Sequence, residues 1–217
     1  MDYNQKKLKY KQKYLELKQQ VAGSFDFIAK LKELYTTPKF DAPFTKTYNY
    51  PTTYGEMDYE SMNKLSIKFN DVKHFLDIGS GRGKLCLYMA HEIKIKSSIG
   101  IELVEERHND AIQLKQQLSP DFSIFTNKVE FINADIFGID LIKKFKGKTL
   151  VWFSNLMFQQ DISNNVIIKL INELPKDSII LCSKPFSILH DNINLLEEII
   201  VIQSWDLNSK TYCYQII

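Results

Sequence analysis

The segment Phe75-Leu76-Asp77-Ile78-Gly79-Ser80-Gly81-Arg82-Gly83 constrains this chain more than any other. An apolar run ends in an acid, and three glycines follow at alternate positions. A periodic apolar stretch, Leu85 to Ile93, comes next. The pattern predicts a buried strand, a tight turn and a helix start. Glycine lets the backbone turn sharply and approach a ligand where a Cβ would clash. The spacing Asp-x-Gly-x-Gly-x-Gly differs from the Gly-x-Gly-x-x-Gly of dinucleotide-binding turns. Such a loop can also be purely structural, so a second signal is needed.

That signal comes from the strands that follow. Segments Val72–Ile78, Ser98–Leu103, Val129–Ile132, Leu150–Ser154, Ser178–Cys182, Ile199–Trp205 and Tyr212–Ile217 read as strands. Helical patterns lie between the first five, which predicts a parallel sheet with right-handed crossovers. The last two are separated only by the polar stretch Asp206 to Lys210, which reads as the turn of an antiparallel hairpin. The expected fold is α/β, with a seven-stranded, mostly parallel sheet and a small helical segment before it. Residues 1–22 read as a basic helix or flexible arm, 23–55 as a helical and lid segment, and 56–217 as the ligand-binding domain. In the lid, Pro38, Pro43 and Pro51 interrupt an aromatic stretch.

Composition narrows the function classes. At 217 residues the chain fits one domain with a short appendage. No long apolar run suggests a membrane span, and the Lys-rich leader is unlike a secretory signal. Cys86, Cys182 and Cys213 are isolated, which argues for a reducing compartment and against a disulfide framework or metal site. A net charge of +2 does not announce a nucleic-acid binder. The first twenty residues nevertheless carry Lys6, Lys7, Lys9, Lys11, Lys13 and Lys18 against Asp2 and Glu16. That leader could neutralise phosphates, or simply be a solvated helix.

In open α/β sheets, ligands bind outside the carboxyl ends of the strands. The first end carries the glycine loop, Asp77, Gly79, Ser80, Gly81 and Gly83, with Lys84 behind it. The second ends in Glu102, about twenty residues on, where an acid can accept from two ribose hydroxyls. The third is followed by Asp135, placed to bind an adenine amine; either acid could instead be a solvated loop residue. The fourth ends in Ser154-Asn155-Leu156-Met157-Phe158 and the fifth in Ser183-Lys184-Pro185-Phe186. The loop resembles motif I of class I S-adenosylmethionine (AdoMet) methyltransferases, and the ordered strand ends fit that cofactor.

Further segments resemble the non-SET histone lysine methyltransferases of the "disruptor of telomeric silencing" type. Tyr54-Gly55-Glu56 resembles that family's loop before motif I, and Asn155 with Phe158 resembles its Asn-Asn-Phe-x-Phe segment. Ser183-Lys184-Pro185-Phe186 matches its Ser-Lys-Pro-Phe, and Thr211-Tyr212-Cys213-Tyr214 resembles its final Ser-Tyr-Tyr. The similarity spans about residues 48–217. The chain departs from the pattern at Ser154, at Met57, and at the cations Arg82 and Lys84.

The resemblance implies methyl transfer from AdoMet to a lysine on the globular face of histone H3 in nucleosomes. Tyr54, Glu56, the glycine loop, Lys84, Glu102, Asp135 and Asn155 would bind the cofactor. Asn155 would aim its side-chain oxygen at the reacting amine, and Tyr212, Phe158 and Phe186 would line an apolar channel. Phe158 and Phe186 could equally be core aromatics, and Tyr212 an ordinary strand residue. The implied partner is the nucleosome, with the leader lysines on DNA phosphates, no metal, no membrane and a monomeric enzyme. The implied location is the nucleus. The leader also resembles those of large DNA-virus proteins, which would place it in a viral replication compartment. Two other readings stay open. One is a class I methyltransferase acting on RNA, DNA or a small molecule, although 154–158 lacks the paired prolines of amino-methylating nucleic-acid enzymes. The other is a non-enzymatic chromatin-binding module.

Overall fold

A computed structural model describes residues 26–36, 55–188 and 190–217. Lys6, Lys7, Lys9, Lys11, Lys13, Tyr54 and the proline-broken stretch from Pro38 to Pro51 lie outside these residues. The described chain begins in a helix, α1 (26–34). The central elements are α2 (Tyr59–Lys68), β1 (His74–Ile78), α3 (Lys84–Glu92), β2 (Ser97–Glu102), α4 (Glu105–Thr126) and β3 (Val129–Asn133). Then follow α5 (Leu141–Lys144), β4 (Thr149–Phe153), α6 (Gln160–Glu173), β5 (Ile179–Cys182), β6 (Ile193–Gln203) and β7 (Asp206–Ile216).

One seven-stranded sheet runs in the order β3-β2-β1-β4-β5-β7-β6. The first five strands are mutually parallel, and β7 lies antiparallel between β5 and β6. Both faces of the parallel part are covered, so β1, β4 and β5 are buried along their whole length. Alternate residues divide the core in two. Phe75, Phe131, Leu150, Trp152 and Leu181 pack with α1 to α4 on one side. Leu76, Ile78, Val151, Phe153 and Ile180 pack with α5 and α6 on the other. The period of two that selects these faces also puts Asp77 on the same side as Phe75, beneath α3.

The terminal hairpin is longer than the sequence suggests. Asp206 to Lys210 is not its turn but the first half of β7, and the turn is Ser204-Trp205. Polar residues misled there because one side of this hairpin faces solvent, where a strand carries them freely. The turn is anchored: Ser204 N–H donates to Glu56 O, and Met57 bridges to Gln203. The end of the hairpin is thereby held against the glycine loop's side of the sheet.

Candidate active site at the carboxyl ends of the strands

The glycine loop turns as its residues require. Gly79, Gly81 and Gly83 all have positive φ, at 79°, 54° and 80°. Gly83 caps α3, and a Cβ there would come within 2.2 Å of Phe131 Cζ. Side-chain-free backbone is therefore needed both for the dihedral and for packing on β3. Gly81 N–H donates to Glu102 Oε2 at 2.7 Å, and Val104 N–H donates to Oε1 at 2.8 Å. Glu102 thus ties the loop to the end of β2. Burial raises its pKa, while these two donors and Arg107 oppose the shift.

Two cavities meet here. The larger, 370 Å³, is lined by Gly79, Glu102, Val104, Asp135, Phe137 and Phe158, among others. Its size falls within the usual range for small-molecule sites, roughly 300–1,000 Å³. The smaller, 50 Å³, is lined by Glu56, Asp77, Ser80, Lys84, Trp152 and Gln203, among others. Both touch Gly55, Gly79 and Ser154. The larger is mostly apolar, with the acids Glu102 and Asp135 and the cation Arg107 in its lining. The smaller is polar, and three of its buried atoms have no partner: Asp77 Oδ1, Ser80 Oγ and Gln203 Nε2. Burial, and next the charge of Glu102, push the Asp77 carboxyl up to about 8. Lys84 Nζ meets Glu56 Oε2 at 2.6 Å and lies 5.2 Å from the Tyr59 ring centroid. It is buried rather than in solvent.

Buried polar atoms without partners are costly, so a site that keeps three of them is shaped for a polar ligand. An amino-acid end supplies what they lack. A carboxylate would take the Gln203 and Lys84 N–H donors, and an ammonium would face Asp77 and Glu56. A nucleoside suits the larger cavity, with Glu102 beside ribose hydroxyls and Asp135 beside a base. The residues present therefore fit AdoMet.

Other sequence expectations meet a different arrangement. Asn155 is fully buried. Its Oδ1 accepts from Lys184 N–H at 2.7 Å, and its Nδ2 donates to Lys184 O at 3.2 Å. The oxygen thus faces the β5 loop. Phe158 lines the larger cavity and packs edge-on against Phe153 at 5.0 Å. Phe186 and Tyr212 line neither cavity. Phe186 lies on the Tyr214 ring at 4.5 Å, and Tyr212 stands mid-strand opposite Glu198 and Cys182. Tyr212 belongs to β7, which is paired on both sides, and Phe186, in the loop after β5, packs on Tyr214 of that strand.

Sequence reading passed over Trp205, Phe137 and Gln203. Trp205 lines the larger cavity and fills the space beside Gly55, where a Cβ would sit 1.6 Å from its ring. A glycine next to Glu56 was the available signal, but only a partner far along the chain explains it. Phe137 is half exposed within the cavity wall. Among the described residues, no group of three His, Cys, Asp or Glu side chains could hold a metal ion. No described helix is long and apolar enough to cross a membrane.

Comparison with known proteins decides the family. The model of the histone methylation protein DOT1 family matches residues 43–212. The chain belongs to the DOT1 histone methylation family. No curated protein matches in sequence. Solved structures share the fold at low identity. An RNA methyltransferase from Salinibacter ruber, in complex with S-adenosyl-L-homocysteine, is 15% identical, with a TM-score of 0.54 over 75% of this chain and 93% of that one. Cofactor-bound Rv0187 from MTB is 8% identical, with a TM-score of 0.55 over 90% and 89%. TrmK of M. capricolum, with S-adenosyl-homocysteine, is 12% identical, with a TM-score of 0.52 over 74% and 69%. The sheet is thus the class I methyltransferase sheet that the sequence led us to expect, carried here by a DOT1 family member.

Proposed function

We propose that this DOT1 family member transfers a methyl group from AdoMet to a lysine side chain of a core histone, on the globular face of H3 in nucleosomes. The observation that carries the reading is the pair of joined cavities, apolar with two acids in its lining on one side and polar with unpartnered atoms on the other. The cofactor is AdoMet, and it supplies an electrophilic methyl on a sulfonium. Glu102 and Asp135 hold the nucleoside, and Lys84, Gln203, Asp77 and Glu56 hold the amino-acid end. Gly55, Gly79 and Ser154 mark the junction, where the methyl would be presented. The family supports a histone as substrate.

The remaining chemistry belongs to the substrate amine, which must be neutral to attack. Burial disfavours an ammonium, so an apolar wall lowers its pKa. Phe158, Met157 and Trp205 supply that wall, and aromatic faces also attract a methylated ammonium. With little acid–base work to do, positioning and exclusion of water would contribute most of the rate. Asn155 acts indirectly, by fixing the β4 and β5 loops to each other.

The test is transfer of labelled methyl from AdoMet to intact nucleosomes, free histones, naked DNA and RNA. Label on H3 only in nucleosomes, lost in Glu102→Ala together with AdoMet binding, is the expected result. Label on DNA or RNA would sink the substrate reading and leave the cofactor reading standing. Loss of AdoMet binding in the wild-type protein would sink both.

A further inference from the structure

The cofactor cleft uses one end of the sheet, and the opposite end has a chemistry of its own. Four short segments enter β1, β2, β3 and β4 there: 69–73, 93–96, 127–128 and 145–148. Together they contain six lysines, Lys73, Lys94, Lys96, Lys128, Lys146 and Lys148, against one acid, Asp71. Outside the Lys-rich leader, the rest of the chain does not share this bias. The net charge is +2, and residues 1–20 contribute six lysines less two acids, or +4, which leaves −2 for everything after them.

The fold puts these lysines in line. Lys73 N–H donates to Lys148 O, Lys96 N–H donates to Lys73 O, and Ser98 N–H donates to Lys128 O. Lysines therefore stand at the entrances of four adjacent strands, in the order β4, β1, β2, β3. At about 4.8 Å per strand the row is about 14 Å wide. Alternation keeps the cations outward. Val72, Ile93, Ile95 and Phe145 are buried, while Lys73, Lys94, Lys96 and Lys146 are exposed. Asp71 bridges Lys148 at 2.6 Å. Among the described residues no acid bridges Lys73, Lys94, Lys96 or Lys146. The row makes a positive field that a buried neighbour feels: His74 has a lowered pKa, chiefly from burial and then from the charge of Lys96.

We infer that this lysine row is a docking face for the phosphodiester backbone of duplex nucleic acid, separate from the catalytic cleft. A duplex carries a charge about every 1.7 Å along its axis with both strands counted, so 14 Å of it holds roughly eight phosphates, of which those on the near side face the row. Single-stranded ligands are held largely by stacking on aromatic rings. Among the described residues the large exposed aromatics, Phe137 and Trp205, both line the cofactor cleft at the other end. The face therefore reads backbone charge and not sequence. Because β1 is five residues long, the row and the cleft are separated by roughly 16 Å, and a duplex held on one leaves the other open. The inference does not rest on the histone reading.

The experiment is fluorescence anisotropy of the full chain with a labelled 20-base-pair duplex across a salt series. Three quadruple or quintuple Lys→Gln variants are compared. One changes Lys73, Lys94, Lys96 and Lys146, one changes Lys30, Lys32, Lys64 and Lys210, and one changes the leader lysines Lys6, Lys7, Lys9, Lys11 and Lys13. The first is expected to bind tenfold or more weakly and to flatten the log–log salt slope by about 3–4, at ~0.9 for each phosphate no longer neutralised. Its AdoMet affinity and melting temperature are expected to match wild type, because the changed side chains are exposed. A loss confined to the leader variant, or an equal loss in the first two, would overturn the assignment. Binding of a single strand tighter than the duplex would overturn its duplex part.

Discussion

Asp77 and Gln203 show how this site balances stability against ligand binding. The Asp77 carboxyl titrates near 8 when folded, because burial and then Glu102 disfavour its charge. Its ordinary value is near 4. Between about pH 4 and pH 8 the folded state therefore keeps a proton that the unfolded state has lost, and stability falls as pH rises through that window. Asp77→Asn removes this slope. Thermal melts are expected to show the variant gaining more at pH 8 than at pH 5, while its AdoMet affinity falls roughly tenfold or more. Equal gains at both pH values would refute the account. Gln203→Leu is expected to weaken S-adenosylhomocysteine by a similar factor and to leave 5′-methylthioadenosine, which lacks the amino-acid end, unchanged in calorimetric titrations. The acids were legible from the sequence because each lies in or directly after a strand that announces itself. Gln203 was not, since its relevance depends on β6 folding back beside β1's loop from far along the chain.

At the scale of elements, the loops after β4 and β5 are held by a single side chain. Asn155→Ala strands the Lys184 N–H, while the Lys184 carbonyl keeps the Cys182 thiol as a donor. The expected cost is about 1–3 kcal/mol in urea denaturation, from one part-buried donor left unpaired. Catalytic loss beyond that expected from unfolding would show that the loops set the cleft's shape. Gly83→Ala should cost about 2–4 kcal/mol, from positive φ and contact with Phe131. The five parallel strands were legible because buried parallel strands are near-continuous apolar runs, and helices separate them. The hairpin was legible in kind but not in length. Alternating polar residues at 206–210 look the same in a turn as in a half-exposed strand.

Across the whole molecule, charge and topology follow different logics. Acids line the cleft at the carboxyl ends of the strands, and lysines stand at the entrances. Topology is less forgiving. Because β7 lies between β5 and β6, deletion of 206–216 removes the partner of both strands. The shortened chain is expected to aggregate, as sedimentation of the expressed product would show, since β5 and β6 would each present an unpaired edge. The same order has a meaning during translation. A ribosome makes β6 before β7, and β6 cannot join the sheet until β7 is there to pair with both it and β5. Gly55 likewise waits for Trp205, and Glu56 for Ser204. The cleft consequently comes into being only once β7 has been made, and until then the growing polypeptide depends on shielding from its neighbours on the polysome.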